Sequence, residues 1–456
     1  MQKHREVHMT CDVVVIGGGP GGLSTAISAA REGAKVILVE RTSALGGAAA
    51  SGLGLLGFID RGGNKALGGM AQEYVDKLIK KRGSLGHDRC PVHNSITGIS
   101  PDQFKIMAME LCREAGVKVI FNCELIDLSM DGRRITGVTV YGKCTNINIS
   151  AGIYVDGTGD GDLAFMADVP FVSGQDGTGI CQPSTLMFTV ANFDLERLYD
   201  FLEKHPEEVG VKEAYAKDYT LPFFRKTKSH CLIGLNKMIE RAKAAGDFDV
   251  PRNQFIYIKT GHPSLLAINT VRITNIDASD VLQLSDGIAD GYRQIDVLMQ
   301  FMNKYVPGFE EAVISQISPT LGVRESRHFA AKRHLTKEEM YAYEVDSDTI
   351  ALCAYNVDIH SGTASHIDLS LLEKPFGMPY GCMVPKDVDN LLMVGRTIDV
   401  DSEVFAAARV MGPIIAMGEA AGIAAAQCAR EGIKPGDVDV NKLREKLITN
   451  GAILGV

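Results

Sequence analysis

The chain opens on a continuously apolar run, Val13-Val14-Val15-Ile16, which reads as a strand buried on both faces. Gly17-Gly18-Gly19-Pro20-Gly21-Gly22 follows, then a helix-like stretch and a second apolar run, 36–39, that ends on Glu40. Helical spacing returns at Phe104, Met107, Ala108 and Leu111, after Ser100-Pro101-Asp102-Gln103, which has the form of a capping box with Pro at the first helical position. Gly116 closes that helix, and 117–121 predicts another strand. Asp131-Gly132 divides two β-like runs, and 135–141 and 147–155 continue as a small antiparallel excursion. That excursion returns the chain to Asp156-Gly157-Thr158-Gly159-Asp160-Gly161-Asp162, a glycine-rich turn after an apolar strand, the place where open α/β sheets bind ligands.

From about Ala164 to Pro379 the texture changes, with strand-like runs at 185–190, 254–258 and 350–354 among helical stretches such as 287–305. Asn390-Leu391-Leu392-Met393-Val394-Gly395-Arg396 then restores the opening pattern. The pattern predicts an α/β fold with a discontinuous Rossmann domain. Its first part is 1–163, its C-terminal part is 380–456, and an α+β substrate domain is inserted at 164–379. The apolar stretch 414–429 is broken by Glu419 and several glycines and reads as a buried helix, since a membrane span needs roughly 20 mainly apolar residues.

The opening β-α-β unit has the form of a nucleotide cradle. Gly17 turns the chain, Gly19 lets backbone approach a pyrophosphate, and Gly22 lets the helix pack on the strand. The helix N-terminus, with its free amides, then faces the phosphates. Glu40 is placed to accept from both hydroxyls of an adenosine ribose and would repel a 2′-phosphate. A loop rich in Gly and Ala, 45–63, contains Gly46-Gly47 and suits close approach to a flat ligand.

At 456 residues the chain is long for one core, and its net charge of −9, with scattered Lys and Arg, argues against a nucleic-acid or anionic-membrane partner. The ten cysteines include no C-x-x-C spacing, so no zinc or iron–sulfur motif can be read. Residues 1–10 are polar and the apolar run after them is too short for a signal-peptide core, so a cytoplasmic location with free thiols is expected.

Together the glycine cradle, Glu40 with Gly46-Gly47, the 156–164 turn, Gln182-Pro183-Ser184-Thr185-Leu186-Met187-Phe188, Arg324-Glu325-Ser326-Arg327, 390–396 and Arg409-Val410-Met411 resemble the FAD-dependent oxidoreductase family with a glutathione-reductase-like nucleotide domain. A more distant resemblance is to the flavin subunits of heterodisulfide reductase and fumarate reductase. The resemblance covers nearly the whole chain and implies FAD in extended form. It places Gly17, Gly19 and Gly22 at the pyrophosphate and Glu40 at the adenosine ribose, with Pro20, Gly21 and Arg41 also among the cofactor-binding residues. Gly46 and Gly47 would lie on the flavin side, Thr158 and Gly159 near the adenosine half, and Gly395 and Arg396 near the ribityl chain. Met411, Gly412 and Pro413 would open the last helix beneath the flavin pyrimidine, where a helix N-terminus stabilises the anionic reduced ring. Two departures stand out. Arg396 occupies a place where many related folds carry Asp, and 397–403 is unusually acidic, with Asp399, Asp401 and Glu403.

For proton transfer and substrate binding the candidates are His328, Arg324, His360 and Tyr380. Arg324 could clamp a substrate carboxylate and His328 move a proton, or both could belong to an Arg–Glu network joining the domains, which is the better reading of Glu325 and Arg327. His360 and His366 flank Ser361-Gly362-Thr363 at a spacing that fits no common zinc template, and no metal is expected. Tyr380 lies on the return to the nucleotide domain, with a packed aromatic as its alternative role. Cys181 and Cys382 read as small core residues rather than nucleophiles. The resulting expectation is a flavoenzyme exchanging a hydride between flavin N5 and a small polar metabolite, at a C–H next to O or N or, in reverse, at an activated C=C. The alternatives are an NAD-dependent dehydrogenase and a flavoprotein electron-transfer component working with a redox partner protein. An oligomer is compatible with either.

Overall fold

The computed structural model describes residues 5–210, 217–362 and 367–455. Its main sheet has seven strands among these residues, and Arg5–Ile16 runs through the middle. Val36–Glu40 lies parallel on one side, with Val13 opposite Val36, and carries Lys118–Phe121 beyond it. On the other side Thr145–Asp156 is also parallel, with Val13 opposite Ile153. That long strand has two different outer neighbours. Its first half pairs antiparallel with Arg134–Gly142, the second strand of a hairpin begun by Glu124–Asp131, and its last residues pair parallel with Leu391–Met393.

The uninterrupted apolar run has a direct cause. Val13 and Val15 face a core of helices, while Val14 and Ile16 face a second core that includes Ile135, Val138 and Leu163. A strand covered on both faces has no use for polar alternation. The strand also starts earlier than its polar beginning suggests, because Arg5 to Thr10 pair with Thr145 to Ser150 along the antiparallel excursion.

Two helices cover the core face. Pro20–Arg31 packs against Met411–Glu431 with glycines at the crossing, where a Cβ on Gly418 would stand 2.4 Å from the Gly21 carbonyl oxygen and one on Gly422 2.4 Å from that of Thr25. Such proximity lets side chains bond across helices. Thr25 donates to the Gly418 carbonyl at 3.1 Å and Ser28 to that of Glu419 at 3.0 Å. Pro101–Ala115 forms as its spacing predicts and ends at left-handed Gly116, but Ser100 makes no side-chain cap. Among the described residues no single helix is long and apolar enough to cross a membrane. Ser402–Ala408 and Met411–Glu431 qualify only as a pair bent by 90°.

A second, antiparallel sheet has the order Cys231–Gly234, Phe255–Lys259, Leu266–Ile268, Phe188–Ala191, Val313–Ile317. The helix Val281–Tyr305 backs it and is capped by Asp280, whose carboxylate accepts from the amides of Leu282 and Gln283. Packing cuts across the linear division expected from sequence. Cys90, Val92 and Ile96 belong to the core of this second sheet, while Ile350, Cys353 and Met378 pack into the core of the first.

Candidate functional site

A cleft of about 690 Å³ lies where the two sheets meet. Its nucleotide wall begins at Gly17, whose φ of +97° suits glycine and whose N–H donates to the Val39 carbonyl at 2.8 Å. A Cβ on Gly17 would stand 2.3 Å from the Gly157 carbonyl oxygen, and one on Gly22 would stand 2.0 Å from that of Gly17. Gly21 meets Val394 in the same way, at 2.7 Å. These three glycines serve protein packing. Gly17 and Gly21 also line the cleft, as Gly19 does, but Gly19 differs in that a Cβ built there meets nothing within 4 Å. The space beside it is shaped for something other than this chain, and Pro20 starts the helix whose N-terminus faces that space.

Glu40 is buried at the end of its strand. One carboxylate oxygen accepts the Gly18 amide at 2.8 Å and the other accepts the amide and hydroxyl of Thr42 at 2.8 and 2.7 Å. The side chain therefore shapes the cradle as well as facing the cleft, which Arg41 also lines. Of the glycine pair, Gly47 lines the cleft, whereas Gly46, at φ +115°, is required because a Cβ would stand 2.8 Å from the Phe104 ring.

The turn after Thr145–Asp156 is fixed by one buried carboxylate. Asp156 accepts from the amide and hydroxyl of Thr158 at 3.0 and 2.7 Å and from the Ala164 amide at 2.8 Å, while burial pushes its carboxyl up to about 6. Thr158 and Gly159 are thereby presented to the cleft, as are Gly395 and Arg396. Gly395 has φ +118° and an open Cβ position like that of Gly19. Arg396 is not free for phosphate or carbonyl oxygen alone, because it pairs with buried Asp160 at 2.8 Å. Met411 lines the cleft, but Gly412 and Pro413 turn toward the protein, where Gly412 meets the Leu56 carbonyl oxygen and Pro413 meets Gly57.

The catalytic candidates divide. Arg324 and His360 line the cleft. His328 does not. Its Nε2 bonds Glu325 at 3.1 Å and its ring meets Phe405 edge-on at 4.4 Å, because its short strand Arg327–Phe329 pairs with Phe171–Ser173. Tyr380 also lies away from the cleft, buried in the first core with its hydroxyl donating to the Pro435 carbonyl at 3.0 Å. Glu325 and Arg327 do form a joining network, with Glu325 accepting the Gln182 amide at 2.9 Å and Arg327 meeting Asp162 at 3.2 Å. His366 lies outside the described residues. Asp399 and Asp401 hold His334 at 2.6 and 3.0 Å and do not line the cleft, so the acidic segment does not set its polarity. Burial raises the Cys181 thiol to about 12 and pushes that of Cys382 well up, which denies both a thiolate role.

The structure adds Asp358 and Arg409, which sequence reasoning left without a role, to the candidate His360. Asp358 and His360 alternate along the strand Val357–His360 and share a face, with His360 Nε2 3.3 Å from the Asp358 carboxylate. That i, i+2 spacing was the available signal. Arg409 stands 3.6 Å from the same carboxylate and donates to the Asp358 carbonyl at 2.9 Å. The Tyr355 hydroxyl donates to the carboxylate at 3.1 Å, and His93 stacks parallel to the Tyr355 ring. Burial works against charge on Asp358, yet the hydrogen bond from His360 and the charge of Arg409 outweigh it and hold the carboxyl far below its ordinary range. Burial drives His360 the other way, down to about 3, with Arg324 and Arg409 adding to it, so the imidazole is neutral at pH 7.

Comparison with known proteins agrees with this arrangement. The family described as FAD dependent oxidoreductase matches residues 12–447. Thiamine thiazole synthase from Aeropyrum pernix is 30% identical over 136 residues, which is 29% of this chain and 44% of that enzyme; the match thus spans less than half of that relative. The structure of p-nitrophenol 4-monooxygenase from Pseudomonas putida superposes with a TM-score of 0.50 at 11% identity, over 98% of this chain and 89% of that one, which shows a shared fold. A geranylgeranyl bacteriochlorophyll reductase-like protein from Thermoplasma acidophilum has a TM-score of 0.49 at 15% identity, over 98% of this chain and 84% of that one. With the open positions at Gly19 and Gly395 consistent with a dinucleotide, the chain belongs to the FAD-dependent oxidoreductase family, and its cofactor is FAD.

Proposed function

We propose that the protein exchanges a hydride between flavin N5 and a small polar metabolite, at a C–H next to O or N or, in reverse, at an activated C=C. The observation that carries this reading is the shared cleft, in which Gly47 and Met411 on the cofactor wall face the same space as Arg324, Asp358, His360 and Arg409. Bound FAD supplies a two-electron acceptor and donor. The chain supplies the rest. Arg324 and Arg409 orient the substrate, and apolar side chains of the second sheet, including Ile256 and Ile258, exclude water. Neutral His360 gives Nε2–H to Asp358 and keeps Nδ1 without a hydrogen-bond partner, so Nδ1 accepts the O–H or N–H proton in oxidation and returns it in reduction. Anaerobic mixing of the yellow protein with a metabolite panel tests this reading, with parallel reoxidation of reduced protein by unsaturated acids. Bleaching by a hydroxy or amino compound, or reoxidation by an unsaturated one, is expected. Reduction by a partner protein alone would overturn the reading in favour of an electron-transfer component.

A further inference from the structure

The inner wall of the cleft holds more positive charge than its neighbours neutralise. Arg324 is nine-tenths buried, and its guanidinium donates to a carbonyl, that of Pro183; no carboxylate among the described residues forms an ion pair with it. Arg409 faces it from the residues just before the helix Met411–Glu431 and shares Asp358 with His360. The Nε of Arg409, the Nδ1 of His360 and one terminal nitrogen of Arg252 are buried without hydrogen-bond partners. Arg252 and Arg272 stand close enough to Arg324 for their charges to oppose its own, while the Asp358 carboxylate favours it. Elsewhere in the cleft the pattern differs, since Arg396 is already matched to Asp160 at 2.8 Å.

A buried cation without a partner costs several kcal/mol, and a fold keeps one where a ligand completes it. A guanidinium offers a planar fork of donors that matches a carboxylate in two parallel hydrogen bonds. We propose that Arg324 and Arg409 form a carboxylate-binding subsite at the inner end of the cleft, and that the substrate of the oxidoreductase reaction is a small organic carboxylate. The proposal rests on the hydride-exchange reading for the word substrate, while the subsite itself is tested by binding alone. Its unused donors come from Arg324 and from Arg409 Nε, so the carboxylate is held beside His360, the group assigned to proton transfer.

The test uses FAD-loaded protein at constant ionic strength with propionate, its neutral isostere propionamide, and inorganic phosphate. The readouts are the flavin absorbance spectrum and the melting temperature. Propionate is expected to perturb the spectrum saturably and raise the melting temperature, with propionamide and phosphate far weaker. Arg324→Gln and Arg409→Gln should each weaken propionate by about tenfold or more, the loss of a charge-assisted contact, while retaining FAD. Equal binding of propionate and propionamide, tighter binding of phosphate, no binding of propionate, or unchanged affinity in both variants would each overturn the subsite. Loss of FAD from the Arg409 variant would reassign Arg409 to the cofactor and overturn the pair. The wild-type comparison of acid with amide decides the matter even if a variant fails to fold. Carboxylate binding with neither metabolite-driven bleaching nor reoxidation would retain the subsite and defeat the hydride-exchange reading; bleaching or reoxidation by neutral metabolites alone would do the reverse.

Discussion

The Glu40 carboxylate accepts the Gly18 amide at 2.8 Å, tying the end of the second strand to the middle of the glycine cradle. With three protein donors on its two oxygens, it keeps only part of its accepting capacity for a ribose. Glu40→Ala should therefore weaken FAD by something on the order of 1 to 3 kcal/mol and lower the melting temperature of the apoprotein as well, because the Gly18 and Thr42 amides lose their acceptor. Fluorescence titration of apoprotein with FAD, paired with thermal denaturation, checks both effects. An unchanged FAD affinity would remove Glu40 from ribose recognition.

Gly19 and Gly17 should respond in opposite ways to a side chain. Gly19→Val is expected to give soluble, colourless protein, since its Cβ projects into open cleft and not into the chain. Gly17→Val should fail to fold stably, because φ is +97° and a Cβ would stand 2.3 Å from the Gly157 carbonyl oxygen. Flavin absorbance and circular dichroism of the two variants separate the cases; stoichiometric FAD in the Gly19 variant would end the assignment of the cradle.

His328 and His360 make a second contrast. His328→Ala should cost stability, by loss of its Glu325 bond and its packing on Phe405, and leave substrate-driven flavin reduction intact. His360→Ala should bind FAD normally and slow reduction, roughly 10²- to 10⁴-fold if it is the proton-transfer group. Stopped-flow flavin kinetics decide between them, and a slow His328 variant beside a fast His360 variant would move proton transfer out of this part of the cleft.

Glu419, buried in the helix Met411–Glu431, gives the fold a pH dependence. Burial raises its carboxyl from 4.5 to about 7, and the Met70 amide, donating to it at 2.8 Å, only partly offsets this. The native state holds the proton more tightly than the unfolded chain, so this group's contribution to stability is full below about pH 4.5 and is lost as pH rises toward 7, by up to about 3 kcal/mol. Glu419→Gln keeps an acceptor for Met70 and removes the titration. The melting temperature of the variant relative to wild type should be clearly more favourable at pH 8 than at pH 5; a pH-independent difference would show that Glu419 does not titrate in this window.

The sequence carried the signals that depend on nearest neighbours along the chain. The run 13–16, the glycines 17–22 and Glu40 lie in one β-α-β unit, so turn geometry and strand burial leave a local trace, and the Rossmann fold with its FAD site could be read from them. The strand Leu391–Met393 was legible for the same reason, because any strand inserted into a covered sheet must be apolar throughout. Local pattern could not decide where long-range packing sends a polar side chain. Arg324 and His328 are four residues apart in a cluster that reads as one unit, yet pairing of Arg327–Phe329 with Phe171–Ser173 places His328 against Phe405 while Arg324 remains in the cleft. Asp358, His360 and Arg409 come together across some fifty residues only because a strand of the middle region meets the approach to the helix Met411–Glu431. Charge balance in a buried site is a sum over neighbours in space, and tertiary structure alone supplies those neighbours.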